Sequence, residues 1–201
     1  MTLIEAHRKL ISFGQPFLHS TDVAAFLGIS RGLASKIMTR LSKAGFTIPL
    51  TRGRWAMNRE VDIFMIPEFL TAPSPSYISL QSALFFHGMI SQIPETVYAV
   101  STSRARLYKT AIGVFSIHHV DSDFLYGFET TVPGQMKIAT PEKALVDFFY
   151  LSPAKSKLFH ALPEIELPKN FRVKQALEMV SGIKSKSRRT IVTEKIYRVL
   201  R

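Results

Sequence analysis

The stretch Ser20–Gly45, STDVAAFLGISRGLASKIMTRLSKAG, decides how this chain is read. It holds two helical segments parted by Gly28-Ile29, and each carries its own punctuation. Ser20 or Thr21 supplies the N-cap oxygen for a short helix over Asp22–Leu27, with Val23, Phe26 and Leu27 turned inward. Ser30 caps a longer helix over Arg31–Ala44, and Gly45 follows it at the position where a positive φ is cheap only for glycine. On the longer helix Ala34, Ile37, Met38 and Leu41 recur at i, i+3, i+4 and i+7, so they share one face. Arg31, Ser35, Lys36, Thr39, Arg40 and Lys43 fall elsewhere on the cylinder and include four cations and no acid. This is the pattern of a helix-turn-helix.

The flanks extend it. Upstream, Leu3, Ile4, Leu10 and Ile11 recur at helical spacing around His7, Arg8 and Lys9, which predicts an amphipathic helix ending at Gly14-Gln15-Pro16. Downstream, Phe46–Thr51 reads as a strand, Arg52-Gly53-Arg54 as a tight turn and Trp55–Asn58 as the returning strand, the wing of a winged helix. Two arginines flanking a glycine at a hairpin tip suit a phosphate or minor-groove contact. The N-terminal part of such a helix fits the DNA major groove, where short polar side chains reach base edges and cations displace counterions from phosphates. The expected groove residues are Ser30, Arg31, Ser35, Lys36, Thr39 and Arg40, with Lys43, Arg52 and Arg54 on phosphates.

Charge supports an anionic partner. The 201 residues carry 26 Lys and Arg against 15 Asp and Glu, a net +11, and residues 1–60 alone hold nine cations and three acids. The absence of cysteine excludes disulfide scaffolds, thiolate zinc sites and cysteine nucleophiles, and suits a reducing compartment. No apolar run approaches the roughly 18 residues of a spanning helix, and the N-terminus lacks a signal-peptide core. The expectation is a cytoplasmic protein with no membrane partner. Residues 1–70 form the first predicted domain. The segment TAPSPS, residues 71–76, reads as a linker because its prolines and serines continue neither helix nor central strand. Residues 77–201 form the second domain.

In that second domain Ser79 caps an apolar helix (Leu80, Ala83, Leu84, Phe85) that Gly88 stops. Strands fit Val97–Ser101, Gly113–Val120, Phe124–Phe128 and Gln135–Ala139. Thr140 and Pro141 begin another helix, packed by Ala144, Leu145, Phe148 and Phe149. Helices near Lys155–Leu162, Asn170–Ser181 and Arg189–Leu200 complete a basic tail. The predicted fold class is α+β, an N-terminal winged helix-turn-helix followed by a mixed α/β domain with a helical C-terminal tail.

Two segments, YISLQSALFFHGMISQIPETVYAVSTSR (residues 77–104) and KIATPEKALVDFFY (residues 137–150), resemble the AbiEi family of antitoxins, regulators in two-gene phage-defence loci of type IV. The shared features are the Ser79–Gly88 helix with its His87-Gly88 ending, Gln92 and Pro94 before a strand, and Ala139-Thr140-Pro141-Glu142-Lys143-Ala144 leading into a helix with Asp147. The resemblance implies a transcriptional repressor that binds double-stranded DNA at inverted repeats in its own promoter. It also implies that the region after the linker neutralises a partner toxin of nucleotidyltransferase type.

Catalytic chemistry finds little support. Glu142, Lys143 and Asp147 invite a metal-dependent nuclease reading, but the two acids lie about 140° apart around one helix and do not converge; a helix start explains them better. His118 and His119 point to opposite faces of a strand, and His87 precedes a helix-ending glycine. No catalytic residue, metal ligand or cofactor is assigned. The alternatives are a basic RNA-binding adaptor, with Phe115 or Tyr126 stacking on bases, and the nuclease. Arg104, Arg106 and Lys109, and the denser Lys184, Lys186, Arg188 and Arg189, are candidate partner or DNA contacts, the former also readable as a solvated loop.

Overall fold

The computed structural model describes residues 1–131, 136–152 and 164–200. Capping decides where the first helices begin. The Thr2 hydroxyl accepts from Glu5 N–H (3.2 Å) while Glu5 Oε2 accepts from Thr2 N–H (2.7 Å), a reciprocal box that opens α1 (Leu3–Ser12). A short strand the sequence pattern did not disclose follows, β1 (Phe17–His19). Helix α2 (Ser20–Leu27) is capped by His19 rather than by Ser20 or Thr21: His19 N–H donates to Asp22 Oδ2 (3.1 Å), and the imidazole accepts from Thr21 N–H (3.4 Å). Ser20 is buried instead, its backbone N–H given to Gly53 O at 3.0 Å. Gly28, at φ 64°, closes α2, and Ser30 Oγ accepts from Leu33 N–H (3.3 Å) to open α3 (Arg31–Lys43). Across Gly45, at φ 80°, Phe46 N–H returns to Leu41 O (2.9 Å), ending α3 as the sequence predicts.

Strands β2 (Ile48–Thr51) and β3 (Arg54–Ala56) are shorter than the expected hairpin arms, and Arg54 belongs to the strand rather than the turn. With β1 they form an antiparallel sheet in the order β1-β3-β2. Alternation along these strands divides two cores. Leu18 and Trp55 pack with Ala6, Leu10, Val23, Ala34, Ile37, Met38 and Leu41. Ile48, Leu50 and Ala56 turn the other way and join the core of the remaining chain. Three apolar side chains expected inside on helical spacing lie outside: Ile4 and Ile11 on α1 are 66% and 59% exposed, and Phe26 on α2 stacks on Phe13 at the surface, with ring centroids 4.3 Å apart. On α1 the buried residues are Ala6 and Leu10, and at 100° per residue Ile4 and Ile11 fall on another face.

The segment read as a linker is packed at both ends. Thr71 ends α4 (Ile66–Thr71) and Ser76 opens β4 (Ser76–Ile78); both are buried, and Thr71 Oγ1 donates to Ser76 Oγ at 3.2 Å. Ile66 and Leu70 lie in the same core as Ile48 and Leu50, so apolar packing runs continuously through the boundary drawn at residue 70.

Beyond it lies a six-stranded mixed sheet. Helix α5 (Leu80–Phe86) precedes β5 (Thr96–Ser101), β6 (Arg106–Thr110) and β7 (Gly113–His119), and later β8 (Phe128–Thr130) pairs with β9 (Lys137–Ala139). The strand order is β6-β7-β5-β4-β9-β8, with β5–β7 and β4–β9 parallel and the other pairs antiparallel. The strand expected over Phe124–Phe128 is instead a single 3-10 turn (Ser122–Phe124) and a connection into β8. Gln135, the expected start of the next strand, lies outside the described residues, as does the expected helix over Lys155–Leu162. Strand β6 lies against β2, so the two sheets meet.

Helix α6 (Pro141–Leu151) starts where Thr140 Oγ1 accepts from Lys143 N–H (3.3 Å), with Pro141 at its first position. All eight residues Glu142–Phe149 are buried, because α5, α7 (Val173–Ser181) and α8 (Lys186–Val199) surround the helix. A helix enclosed on all sides has no solvent for its ionic side chains, so they find partners inside. Lys143 Nζ lies 2.8 Å from Asp147 Oδ1 and donates to Phe124 O at 2.9 Å, with the Phe124 ring centroid 3.4 Å away. Asp147 Oδ2 accepts from Tyr77 OH (2.9 Å) and Ser79 Oγ (2.8 Å). Ser79 therefore makes no side-chain cap for α5, contrary to the sequence reading, because its hydroxyl is committed to Asp147. Burial, reinforced by the Asp147 charge, holds the Tyr77 phenol well above its ordinary pKa and keeps it a donor; burial pulls the Lys143 ammonium down, against Asp147.

The basic tail is part of this core. Val192 and Ile196 of α8 are fully buried, so excising the tail would open the fold, and its cations are better tested by point substitution. Among the described residues no helix is long and apolar enough to cross a membrane.

Candidate nucleic-acid interface

Four buried side chains, Ala34, Ile37, Met38 and Leu41, anchor α3, and at 100° per residue they orient everything else on it. Gly32, Lys36, Thr39 and Lys43 lie on the opposite face, flanked by Arg40 on one side and Ser35 and Arg31 on the other. All are exposed except Ser35, which is half-buried. Thr39 Oγ1 donates back to Ser35 O at 2.8 Å, and Ser30 Oγ is occupied by its cap, so neither hydroxyl is idle.

The hairpin turn docks beside the start of α2. Gly53, at φ 78°, brings Arg52 and Arg54 past His19; its positive φ favours glycine, and a Cβ there would lie 3.3 Å from Ser20 Oγ, which would have to give by a few tenths of an ångström. Burial lowers the His19 pKa first, the Arg54 and Arg31 charges lower it further, and Asp22 opposes them. The first cation of α3 and the hairpin arginine thus act on one imidazole, and a neutral His19 adds no further charge. Sequence reasoning overlooked His19, because a three-residue strand has too little alternation to register; its spacing to Asp22 was the available signal.

Among the described residues none of Arg31, Lys36, Arg40, Lys43, Arg52 or Arg54 is ion-paired. Arg54 is half-buried and donates to Ala72 O at 3.4 Å; Arg52 at the turn is exposed. Arg106 and Lys109, also readable as part of a solvated loop, instead sit on the edge strand β6, with the Arg106 guanidinium 4.9 Å from the Tyr108 ring centroid; Arg104 precedes the strand. Since β6 lies against β2, these cations share a neighbourhood with the hairpin.

The tail cations divide differently. Lys184 is ion-paired with Asp123, Arg188 lies 4.7 Å over the Tyr150 ring, and Arg189 donates to Ser181 O at 3.2 Å. Of the four, Lys186 alone among the described residues makes no such contact and is exposed.

The histidines and acids weighed for catalysis are dispersed. His87 donates from Nε2 to Ala139 O (2.7 Å), His118 lies 3.0 Å from Ser116 Oγ, and His119 lies 3.0 Å from Ser103 O on the other face. Burial pushes His118 down to about 4. Among the described residues no three His, Asp or Glu side chains gather as a metal site. No protein-family model matches this chain, and no curated protein does so either.

Proposed function

We propose that this chain is a sequence-specific double-stranded DNA-binding repressor of its own operon, with a winged helix-turn-helix made of α1–α3 and the β2–β3 hairpin. The observation that carries the reading is the outer face of α3, cationic, free of acids and unpaired among the described residues, next to a hairpin with Arg52 exposed at its turn and Arg54 at the start of the return strand. Uncompensated cations on a rigid helix, beside small side chains that permit close approach, suit a phosphate-flanked groove better than a solvated face needs. The likeness of residues 77–104 and 137–150 to AbiEi antitoxins adds the second half of the proposal: the chain neutralises a nucleotidyltransferase-type toxin encoded beside it.

Fluorescence anisotropy on DNA from upstream of the gene, against a shuffled duplex and a single strand, tests the first half. Preference for the upstream duplex that survives about 0.15 M salt is expected, and equal, salt-labile binding to all three would defeat it. Co-expression with the neighbouring gene product tests the second half, and growth that is not rescued removes the antitoxin role.

Gly32 separates stability from binding. A Cβ there meets nothing within 4 Å, so Gly32→Ala is expected to stabilise the fold by about 0.5–1 kcal/mol by thermal melting. The same methyl stands on the proposed groove face and is expected to weaken operator binding. Greater stability with unchanged binding would move the DNA off this face.

A further inference from the structure

At the N-terminus of α6, on the opposite end of the helix from its junction with Ser152, lies a cavity of about 350 Å³ lined by His87, Glu129, Glu142, Asn170 and Arg172 among others. Its decisive feature is Glu142. The residue is 2% exposed, and only one of its two carboxylate oxygens is used: Oε1 accepts from Arg172 N–H at 2.8 Å and lies 3.5 Å from Arg172 Nε. Oε2 is buried with no hydrogen-bond partner. An unsatisfied buried carboxylate oxygen is rare and costly in a folded protein, and it marks a position where a donor belongs. Asp147 on the same helix differs: its Oδ2 accepts from Tyr77 and Ser79, and its Oδ1, also without a hydrogen bond, is faced by the Lys143 ammonium at 2.8 Å.

The walls indicate what the donor is. Glu129 adds a second carboxylate. His87 Nε2–H is committed to the Ala139 carbonyl. The Arg172 side chain is already turned toward Glu142 Oε1. Two carboxylates against one guanidinium leave the lining net negative, and the volume is about ten times the roughly 30 Å³ share of one water molecule, within the range of small-ligand sites.

We propose that this cavity binds a small organic cation with N–H donors, an ammonium or guanidinium, whose head group bonds Glu142 Oε2 as that carboxylate turns to present it. The site is independent of the DNA reading. It also stands outside the helix-start role that the Thr140-Pro141-Glu142 sequence suggests for these residues, because Thr140 alone performs the capping.

The test uses the full chain with agmatine and L-arginine as probes, which share the guanidinium but differ in the carboxylate. Calorimetry and backbone amide NMR are expected to show saturable binding at about 1 mM or tighter, with shifts at His87, Glu142 and Arg172. Equal affinity of the two probes assigns the site to free amines; tighter arginine binding assigns it to amino acids. Glu142→Gln, which keeps an acceptor for Arg172 N–H, is expected to weaken binding at least tenfold, while Glu129→Gln weakens it less. Should Glu142→Gln fail to fold, tetramethylammonium serves with the native chain, since it has the charge without an N–H donor and is expected not to bind. Tetramethylammonium binding as well as agmatine, shifts scattered over surface carboxylates, or no saturation would each overturn the proposal and leave the cavity to water.

Discussion

Replacing Asp147 with alanine is expected to cost about 3–5 kcal/mol of folding stability, the largest loss of any single polar substitution proposed for this chain. The side chain is fully buried and holds three partners from two separate elements: Tyr77 and Ser79 at the end of β4, and Lys143 one turn before it on α6. Its removal leaves the Lys143 ammonium enclosed with only the Phe124 carbonyl and aromatic faces around it, and leaves two hydroxyls without their acceptor. The penalty is that of a stranded charge rather than the worth of an ion pair. A Lys143→Met, Asp147→Leu double variant is therefore expected to recover a substantial part of the loss, because it removes both charges and refills the space. Urea unfolding of the two variants checks this; a loss below about 1 kcal/mol for Asp147→Ala, with an unchanged denaturant slope, would mean that the cluster is not what clamps β4 to α6.

The second large effect concerns binding. Changing Lys36, Arg40, Lys43 and Arg52 together to alanine is expected to lower the slope of log affinity against log salt by about 3 to 4, near 0.9 for each phosphate that is no longer neutralised. Specific binding at about 0.15 M salt should then fall to the level of a shuffled duplex. All four side chains are exposed and unpaired among the described residues, so the melting temperature should barely change, each substitution lying within about 0.5 kcal/mol. An unaltered salt slope in a folded variant would place the nucleic-acid surface elsewhere, with Arg104, Arg106 and Lys109 beside the hairpin the next to test. If the slope falls but the preference for the upstream duplex persists, base readout resides in Arg31, Ser35 and Thr39.

How much of this was legible depends on the range of the interactions. Helix α3 was read nearly to the residue, since its cap, its buried face and its terminating glycine all lie within sixteen residues, Ser30 to Gly45. The long strands β5 and β7 were found within a residue or two, for β-branched and aromatic residues recur along them. Strands β1, β4 and β6 were missed. Strands β1 and β4 are three residues long and exist because distant strands supply their hydrogen bonds, as β9 does for Ile78 through Ile138, whereas β6 pairs with its neighbour β7 and lacks the buried alternation that would reveal it. Ser79 shows the same limit in one side chain: local sequence offers it as a cap, yet its oxygen bonds a carboxylate 68 residues away.

By itself the sequence determined the helical grammar of the first sixty residues, the cationic face of α3, the helix start at Thr140-Pro141 and the mixture of helices and strands that follows. These rest on caps, glycine conformation and apolar periodicity, all set by neighbours in the chain. Only the tertiary structure decided that the small sheet serves two cores, that His19 lies under the influence of both Arg31 and Arg54, and that Arg188 and Arg189 are engaged within the chain. It also decided that Glu142 Oε2 and Asp147 Oδ1 are both buried without a hydrogen bond, and that the Lys143 ammonium faces the latter at 2.8 Å. Desolvation and pairing are properties of what surrounds a group in space, and residues separated by tens of positions supply those surroundings.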